Sequence, residues 1–463
     1  MQKTISYQPL QRLLLPFAAA IFFATSALAD GDRVMELERR VAELESMVEA
    51  LLEDRQAAGA EAQAEARQAS AAAGEAQAEA RAARAELAEL DEKVQPVVAA
   101  IEEEAGKPKF SYGGYIKSDL MVTDYSDGSV PGSSIGRDFF VPSTIPVDNG
   151  DGETYLDWHA RQSRFHFATN HALANGEELA SYVELDFLAT AGGNERVSNS
   201  FSPRLRHAFV TYGNWLFGQT WNTFMDVATL PESVDFIGPT GSTTFGREPM
   251  IRYTNGGFAI ALENPESTVT PIGGGRIDVD DSIVPDLAAR YTWKGEGWHL
   301  QLGGMLRQLS LDDSGLGVDD TVTGWGVSLS GKAMFGRDDV RWMIHTGDGM
   351  GRHIGLNFAN GAAITTDGKL EAIGTTGAFV AYRHWWSQKW RSNAVLSYLE
   401  VDNPVRFTGT GVNESNWSGQ INLLYSPTPP LSFGVEFLTA ERELENGLDG
   451  QMNRFQFTTK YAF

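Results

Sequence analysis

The sequence contains no cysteine, and its acidic residues outnumber its basic ones. The absence of cysteine excludes disulfide bonds, thiolate chemistry and cysteine-ligated metals. Lys and Arg together number 37 against 61 Asp and Glu, which gives a formal net charge of -24. Because surfaces that bind nucleic acid are basic, this balance argues against a nucleic-acid partner.

Motifs of enzymes and metal sites are also missing. The chain has no Gly-x-Ser-x-Gly nucleophile turn and no His-Glu-x-x-His zinc motif. The histidines are scattered without the spacing of a ligand set: His159, His166, His207, His299, His345, His353 and His384. Since no nucleophile, base and orienting group stand together, we expect no enzyme activity, no cofactor and no metal ion.

A long hydrophobic run occurs at the N-terminus. Lys3 and Arg12 precede an apolar run from Leu13 to Leu28. Ala27-Leu28-Ala29 has the small-residue pattern of a cleavage site. The pattern predicts that residues 1–29 are a secretory signal peptide. A short membrane helix is the alternative interpretation of the same run, although the run is short for a span.

The C-terminal segment alternates between apolar and polar residues and ends on phenylalanine. Its apolar positions are Phe455, Phe457, Thr459, Tyr461 and Phe463. Polar residues such as Arg454, Gln456 and Lys460 stand between them. This period of two predicts a strand with one face toward lipid and one toward water, and such an ending is typical of outer-membrane β-barrels.

Residues 105–463 contain sixteen segments with a strand pattern, from 109–123 to 451–463. Short turns alternate with long loops rich in Gly, Asp and Asn, as in outer-membrane barrels. We therefore predict an all-β domain, a 16-stranded antiparallel transmembrane β-barrel with both ends on the short-turn, periplasmic side. A large soluble β-sandwich is the alternative, but the non-aromatic faces carry charged and polar residues that suit a water-filled lumen.

Residues 30–104 differ in composition, being rich in Ala, Glu, Gln and Arg. Apolar residues recur at spacings of three and four, at Val34, Leu37, Val41, Leu44, Val48 and Leu51. This pattern predicts an N-terminal α-helical coiled coil in the periplasm that joins identical chains. A single charged helix or a spacer is the alternative, and the number of chains and contact with the cell wall stay open.

The alternation also assigns charged residues to the inside of the barrel. Phe209 and Thr211 are assigned to the lipid side, which places Arg204 and Arg206 in the lumen. The same rule places these basic residues inside: Lys117, Arg164, Arg252, Arg290, Arg307, Arg341, Arg383, Arg391 and Arg454. Lumenal arginines would concentrate anions and bind carboxylates through the guanidinium fork. Alternatively, they pair with lumenal acids and only brace the wall.

The segment 221–248 is long and apolar in places. It contains Phe224, Leu230, Phe236 and Ile237, for which an exposed loop has little use. We therefore expect this loop to fold into the barrel and form the constriction. A compact cap on the rim of the barrel is the alternative.

Three sequence motifs carry a family resemblance: Gly114 to Asp119, Arg137 to Pro146 and His159 to Phe165. On these motifs and the helix before the barrel, the mature chain resembles the DcaP-like porins, among the trimeric porins of Gram-negative bacteria. The resemblance implies an outer-membrane homotrimer that favours small anions, notably dicarboxylates. It places Arg164, Arg206 and Arg252 on the basic side of the constriction. The inner-loop acids, by similarity to general porins, would be Asp226, Glu232 and Asp235.

The resulting hypothesis is an outer-membrane porin for passive diffusion of small anionic solutes such as dicarboxylic acids. Outer-membrane lipid and further copies of the chain are the expected partners. Two alternatives stay open. One is a weakly selective general porin in which lumenal arginines and loop acids cancel. The other is a structural protein whose helix spaces the envelope, with an incidental pore.

Overall fold

The computed structural model describes residues 33–47, 62–105, 107–148, 150–190, 192–196 and 198–463. The chain divides into two compact units, Met1–Lys107 and Pro108–Phe463. The predicted signal peptide, residues 1–29, lies outside the described residues. Within the described part of the chain, none of the helices combines the length and the apolar character needed to cross a membrane.

The first unit contains two helices, α1 (33–47) and α2 (Ala62–Ala105). Leu37 and Val41 of the heptad seam are buried against Ala83 of α2, with Leu87 packed beside them. The helices run antiparallel, because Arg33 pairs with Glu86 whereas the later Arg40 pairs with the earlier Glu79.

The coiled coil joining identical chains is therefore not confirmed. The described seam residues of α1 are covered by α2 of the same chain, and Val48 and Leu51 lie outside the described residues. Helix α2 contains Pro96 and continues to Ala105.

The second unit is a β-barrel. The strands of its wall are β1 (Lys109–Tyr125), β2 (Thr154–His159), β3 (Arg164–Ala172), β4 (Glu178–Asp186), β7 (Arg204–Tyr212), β8 (Trp215–Trp221), β9 (Arg247–Asn255), β10 (Phe258–Glu263), β13 (Asp286–Gly295), β14 (Trp298–Asp313), β15 (Val318–Phe335), β16 (Asp338–Asp348), β19 (Gly374–Trp385), β20 (Trp390–Asp402), β21 (Asn413–Thr428), β22 (Leu431–Leu444) and β23 (Asp449–Ala462). The short strands in the loops are β5 (Gly193–Asn194), β6 (Ser200–Phe201), β11 (Ser267–Thr270), β12 (Ile277–Val279), β17 (Ala362–Ile364) and β18 (Leu370–Ala372). Helix α3 (Val405–Thr408) and five 3-10 turns also lie in the loops, the turns at Ile135–Arg137, Pro142–Thr144, Val227–Thr229, Thr240–Ser242 and Gly351–His353.

The wall closes because β1 pairs with β23 along its length, from Tyr115 opposite Ala462 to Tyr125 opposite Met452. On its other edge β1 pairs first with β3 and then with β2. β2 and β3 therefore form one barrel strand that is interrupted at residues 160–163. The seventeen strands of the sheet thus make sixteen strands around the barrel, all antiparallel, and the predicted 16-stranded barrel is confirmed.

The side chains of the wall alternate between lipid and lumen. In β23 the aromatic residues Phe455 and Phe457 are exposed on the outside, whereas Arg454 and Gln456 are buried inside. Because the hydrocarbon of a bilayer favours apolar side chains and a lumen favours polar ones, the period-two pattern of the sequence decides which residue faces which way.

The alternation is shifted in β7, where one prediction is wrong. The pairing of β4 with β7 has an irregularity after Glu184, which opposes His207 while Leu185 opposes Leu205. Beyond this bulge Val210 and Tyr212 are the exposed residues. Phe209, which was expected on the lipid side, packs instead against buried Leu216, Met250 and Ala261, and Thr211 lies opposite Leu216. A bulge inserts one residue and so exchanges the two faces beyond it.

We predict that Gly114→Ala destabilises the barrel. Gly114 lies at the closure, where it exchanges backbone hydrogen bonds of 3.1 Å with Phe463. Its φ is +148°, and an added Cβ would lie 2.0 Å from the carbonyl oxygen of Arg164. We expect a loss of about 1–3 kcal/mol in unfolding free energy, from urea unfolding in lipid vesicles.

Gly132→Ala is the matched control, because no atom lies within 4 Å of its added Cβ. Equal stability of the two variants would contradict the strain assigned to Gly114.

Candidate functional site

The segment 222–246 lies against the inner face of the barrel wall. The backbone N–H groups of Val234 and Asp235 donate to the two carboxylate oxygens of Glu436 in β22, at 2.8 and 2.9 Å. The ammonium of Lys117 in β1 donates to the carbonyl of Val234 at 2.8 Å. Ser242 bonds Ser397 of β20 at 2.8 Å. The segment therefore contacts widely separated parts of the wall from inside.

The apolar residues of the segment explain why it lies inside. Met225 and Ile237 are buried in a cluster with Phe139 and Leu188. Phe224 is buried in a second cluster with Met305 of the wall. Burying such side chains stabilises the inward position, by about 1.5–3 kcal/mol for each large apolar side chain.

Two other long loops also fold inward, although no inward position was predicted for them. Residues Phe139, Phe140 and Val141 of the segment 126–153 are buried. In the segment 349–373, Ile354 and Phe358 are buried in the cluster that contains Phe224. In this second segment, the carbonyl of His353 accepts a backbone hydrogen bond of 2.9 Å from the N–H of Phe245. The sequence signal for this inward position was the presence of apolar residues within loops rich in Gly and Asn.

A cavity of about 930 Å³ lies between residues 232–236 and the short turns of the barrel. The turns at Gln388–Lys389 and Pro427–Pro430 line it, so it is at the short-turn end. We call it the basic vestibule, after its seven basic lining residues: Lys117, Arg164, Arg341, Arg383, Lys389, Arg391 and Lys460. Its two acidic lining residues are Glu232 and Asp235, which leaves an excess of five positive charges on the lining.

The vestibule brings together seven of the charged residues that the sequence assigns to the lumen or the inner loop: Lys117, Arg164, Arg341, Arg383, Arg391, Glu232 and Asp235. The other seven do not line it: Arg204, Arg206, Arg252, Arg290, Arg307, Arg454 and Asp226. The expected set is therefore divided between the vestibule and other parts of the inner wall.

Three of the arginines outside the vestibule are held in ion pairs. Arg204 makes a two-point contact with Asp186, at 2.9 and 2.8 Å. Arg206 is only 1% exposed and donates to Glu184 at 2.6 Å and to Asp186 at 2.8 Å. Arg307 lies 3.3 Å from Asp286 and is also buried. These three arginines fit the alternative in which lumenal arginines brace the wall.

Three further residues outside the vestibule hold the beginning of the segment 222–246. Arg252 donates to the carbonyl of Trp221 at 3.2 Å, and Arg290 donates to that of Met225 at 3.1 Å. Asp226 contacts the imidazole of His299 at 2.9 Å and accepts from Ser330 at 2.8 Å. Within the described residues, Arg252 and Arg290 form no ion pair.

Comparison with known proteins decides the family of the chain. A model of the DcaP outer membrane protein family matches residues 99–463. The chain belongs to the DcaP outer membrane protein family. No curated protein sequence matches it. Family membership makes it an outer-membrane protein.

Solved structures are similar to this DcaP-family chain. The outer membrane channel DcaP of Acinetobacter baumannii is similar over 77% of this chain and 97% of its own, with 22% identity and a TM-score of 0.64. OmpF of Salmonella typhi, in complex with daunomycin, is similar over 78% of this chain and 99% of its own, with 11% identity and a TM-score of 0.48. OmpT of Vibrio cholerae is similar over 77% and 98%, with 12% identity and a TM-score of 0.45.

Two lysines of the vestibule in the DcaP-family barrel were not among the expected site residues. Lys460 lies in β23 with its ammonium 4.2 Å from the centre of the Tyr115 ring. The alternation of β23 was sufficient to place it inside. Lys389 belongs to a short turn, where no alternation applies, and only the folded barrel brings it to the cavity.

We predict that Arg206→Met destabilises the barrel by about 3–5 kcal/mol, because the buried Glu184 and Asp186 would lose a cationic partner. Urea unfolding in lipid vesicles measures the change. The control is Arg406→Met, in an exposed pair with Glu371, for which the expected loss is below about 1 kcal/mol. Similar losses for the two variants would show that Arg206 does not brace the wall.

Proposed function

We propose that this DcaP-family protein is an outer-membrane porin through which small anionic solutes, such as dicarboxylic acids, diffuse passively. The observation that carries the proposal is the basic vestibule, whose lining has an excess of five positive charges although the chain as a whole is acidic. Fixed cations in a confined cavity concentrate anions and pass them through weak, repeated contacts.

The positive excess survives when the acids behind the lining are counted. Asp119, Glu184 and Asp339 pair with lining cations, and subtracting them leaves two positive charges. Within the described residues, Lys389 and Lys460 form no ion pair, so they are the cations most available to a solute. The vestibule is thus a site of net positive charge.

In this proposal the constriction lies where residues 232–236 approach the vestibule wall. The guanidinium of Arg164 lies 5.1 Å from the Tyr115 ring and 6.0 Å from the Phe236 ring of the inward segment. Arg383 would contact the solute beside it, Lys117 would hold residues 232–236 through the carbonyl of Val234, and Arg204, Arg206 and Arg307 would hold the wall. The homotrimer, the periplasmic position of the helices and their contact with the cell wall are further proposals.

A weakly selective general porin is the second candidate. It is favoured by the ion pairs of Arg204, Arg206, Arg307 and Arg383, which neutralise much of the charge on the inner wall. The two candidates differ in how strongly they expect the vestibule cations to make the pore select anions.

The test is the reversal potential in a planar bilayer under a salt gradient. We expect the wild-type potential to shift toward that of the anion. The triple variant Arg164→Gln, Lys389→Gln and Lys460→Gln should lower the anion-to-cation permeability ratio by at least about threefold, because charges that line a pore decide its selectivity.

The matched control is the triple variant Lys294→Gln, Lys369→Gln and Arg406→Gln, which removes three exposed charges that do not line the vestibule. An equal effect of the two triple variants would favour the general porin. A wild-type potential shifted toward the cation would refute the proposed anion preference.

A further inference from the structure

The carboxylate of Glu232 is bound by two arginine side chains that line the basic vestibule. Both of its oxygens accept from the guanidinium fork of Arg391, the Nε contact being 2.7 Å. Arg383 lies 3.6 Å from the same carboxylate. A planar fork that meets both oxygens is the strongest geometry for binding a carboxylate.

The remaining guanidinium nitrogen of Arg391 is held by the wall. Its Nη1 donates to the hydroxyl of Ser426 at 2.9 Å, so the fork is held open toward the cavity. Lys389, Lys460 and Arg383 line the same cavity. The site therefore offers one pre-oriented fork and further cations beside it.

Glu232 differs from the other acid of the vestibule in how firmly it is held. The carboxylate of Asp235 is buried and accepts backbone N–H groups of Phe140, Ile237 and Gly238, at 2.9 to 3.2 Å. The side chain of Glu232 is 35% exposed. Its backbone is anchored separately, because its carbonyl accepts from Asn422 at 2.9 Å. The side chain can leave Arg391 for water without detaching the segment.

We infer that Glu232 is an internal ligand that occupies the carboxylate site of Arg391 and Arg383 and is exchanged for a carboxylate group of the permeating solute. This inference rests on the proposed function. Exchange keeps Arg391 paired throughout, so its buried charge is never left without a partner. The solute's second acidic group would meet the neighbouring lysines. Glu232 thereby weakens binding enough for the solute to leave, as conduction requires.

The experiment measures how succinate blocks the chloride current of single channels of the full-length protein in bilayers. Glu232→Gln should lower the half-blocking succinate concentration about tenfold, as expected if the internal ligand occupies the free site about nine-tenths of the time. Glu232→Asp, which keeps the charge, should remain near wild type. Butane-1,4-diol, which is uncharged and similar in length, should block all variants equally.

Two further variants separate exchange from other effects of charge. Glu296→Gln removes one acidic charge from another short turn, outside the vestibule lining, and should leave the succinate response unchanged. Arg391→Gln should abolish the tight block by succinate. The double variant Arg391→Gln and Glu232→Gln should not recover that block.

The outcomes distinguish the inference from the proposed function. If the wild-type channel prefers anions but Glu232→Gln binds succinate no more tightly than wild type, the internal-ligand inference is wrong and Glu232 only tethers the loop. An equal gain from Glu296→Gln, or a gain that survives Arg391→Gln, would overturn it as well. Cation preference in the wild-type channel would refute the proposed function together with the inference.

Discussion

The closed ladder of backbone hydrogen bonds is the constraint on which the rest of this protein depends. The hydrocarbon core of a bilayer offers no partner to a free N–H or C=O group, so a sheet can span it only without edges. Pairing of β1 with β23 removes the last two edges. Once the sheet is closed, every wall residue faces either lipid or lumen, and the aromatic and ionic residues separate accordingly.

Closure leaves a wide lumen that the chain fills with its own loops. Their buried backbone groups need partners, since water is excluded from them. The wall supplies these partners through ionic side chains, as when Glu436 accepts from two successive N–H groups and Lys117 donates to a carbonyl of the same segment. Much of the charge on the inner wall is used in this way. A count of lumenal arginines therefore overestimates the charge that a solute would meet.

The basic vestibule shows how the same chemistry can serve assembly and passage. An arginine fork that binds a loop carboxylate is also a binding site for any other carboxylate of suitable reach. The two uses differ in how firmly the loop carboxylate is held. The carboxylate of Asp235 is fixed by three backbone donors, whereas the side chain of Glu232 is partly exposed and pairs with Arg391 and Arg383.

The barrel, its sixteen strands and most of the inward and outward assignments follow from the sequence, because alternation along a strand is a local property of the backbone. It misassigned Phe209 because a bulge in β7 depends on pairing with β4. It predicted contact between chains for a seam that α2 of the same chain covers. Which arginines are neutralised and which line the vestibule depends on contacts that form in the folded barrel. Arg391 and Glu232 are 159 residues apart, and Glu436 and Val234 are 202 apart. Such partners meet only after the barrel has closed, so no local pattern can pair them.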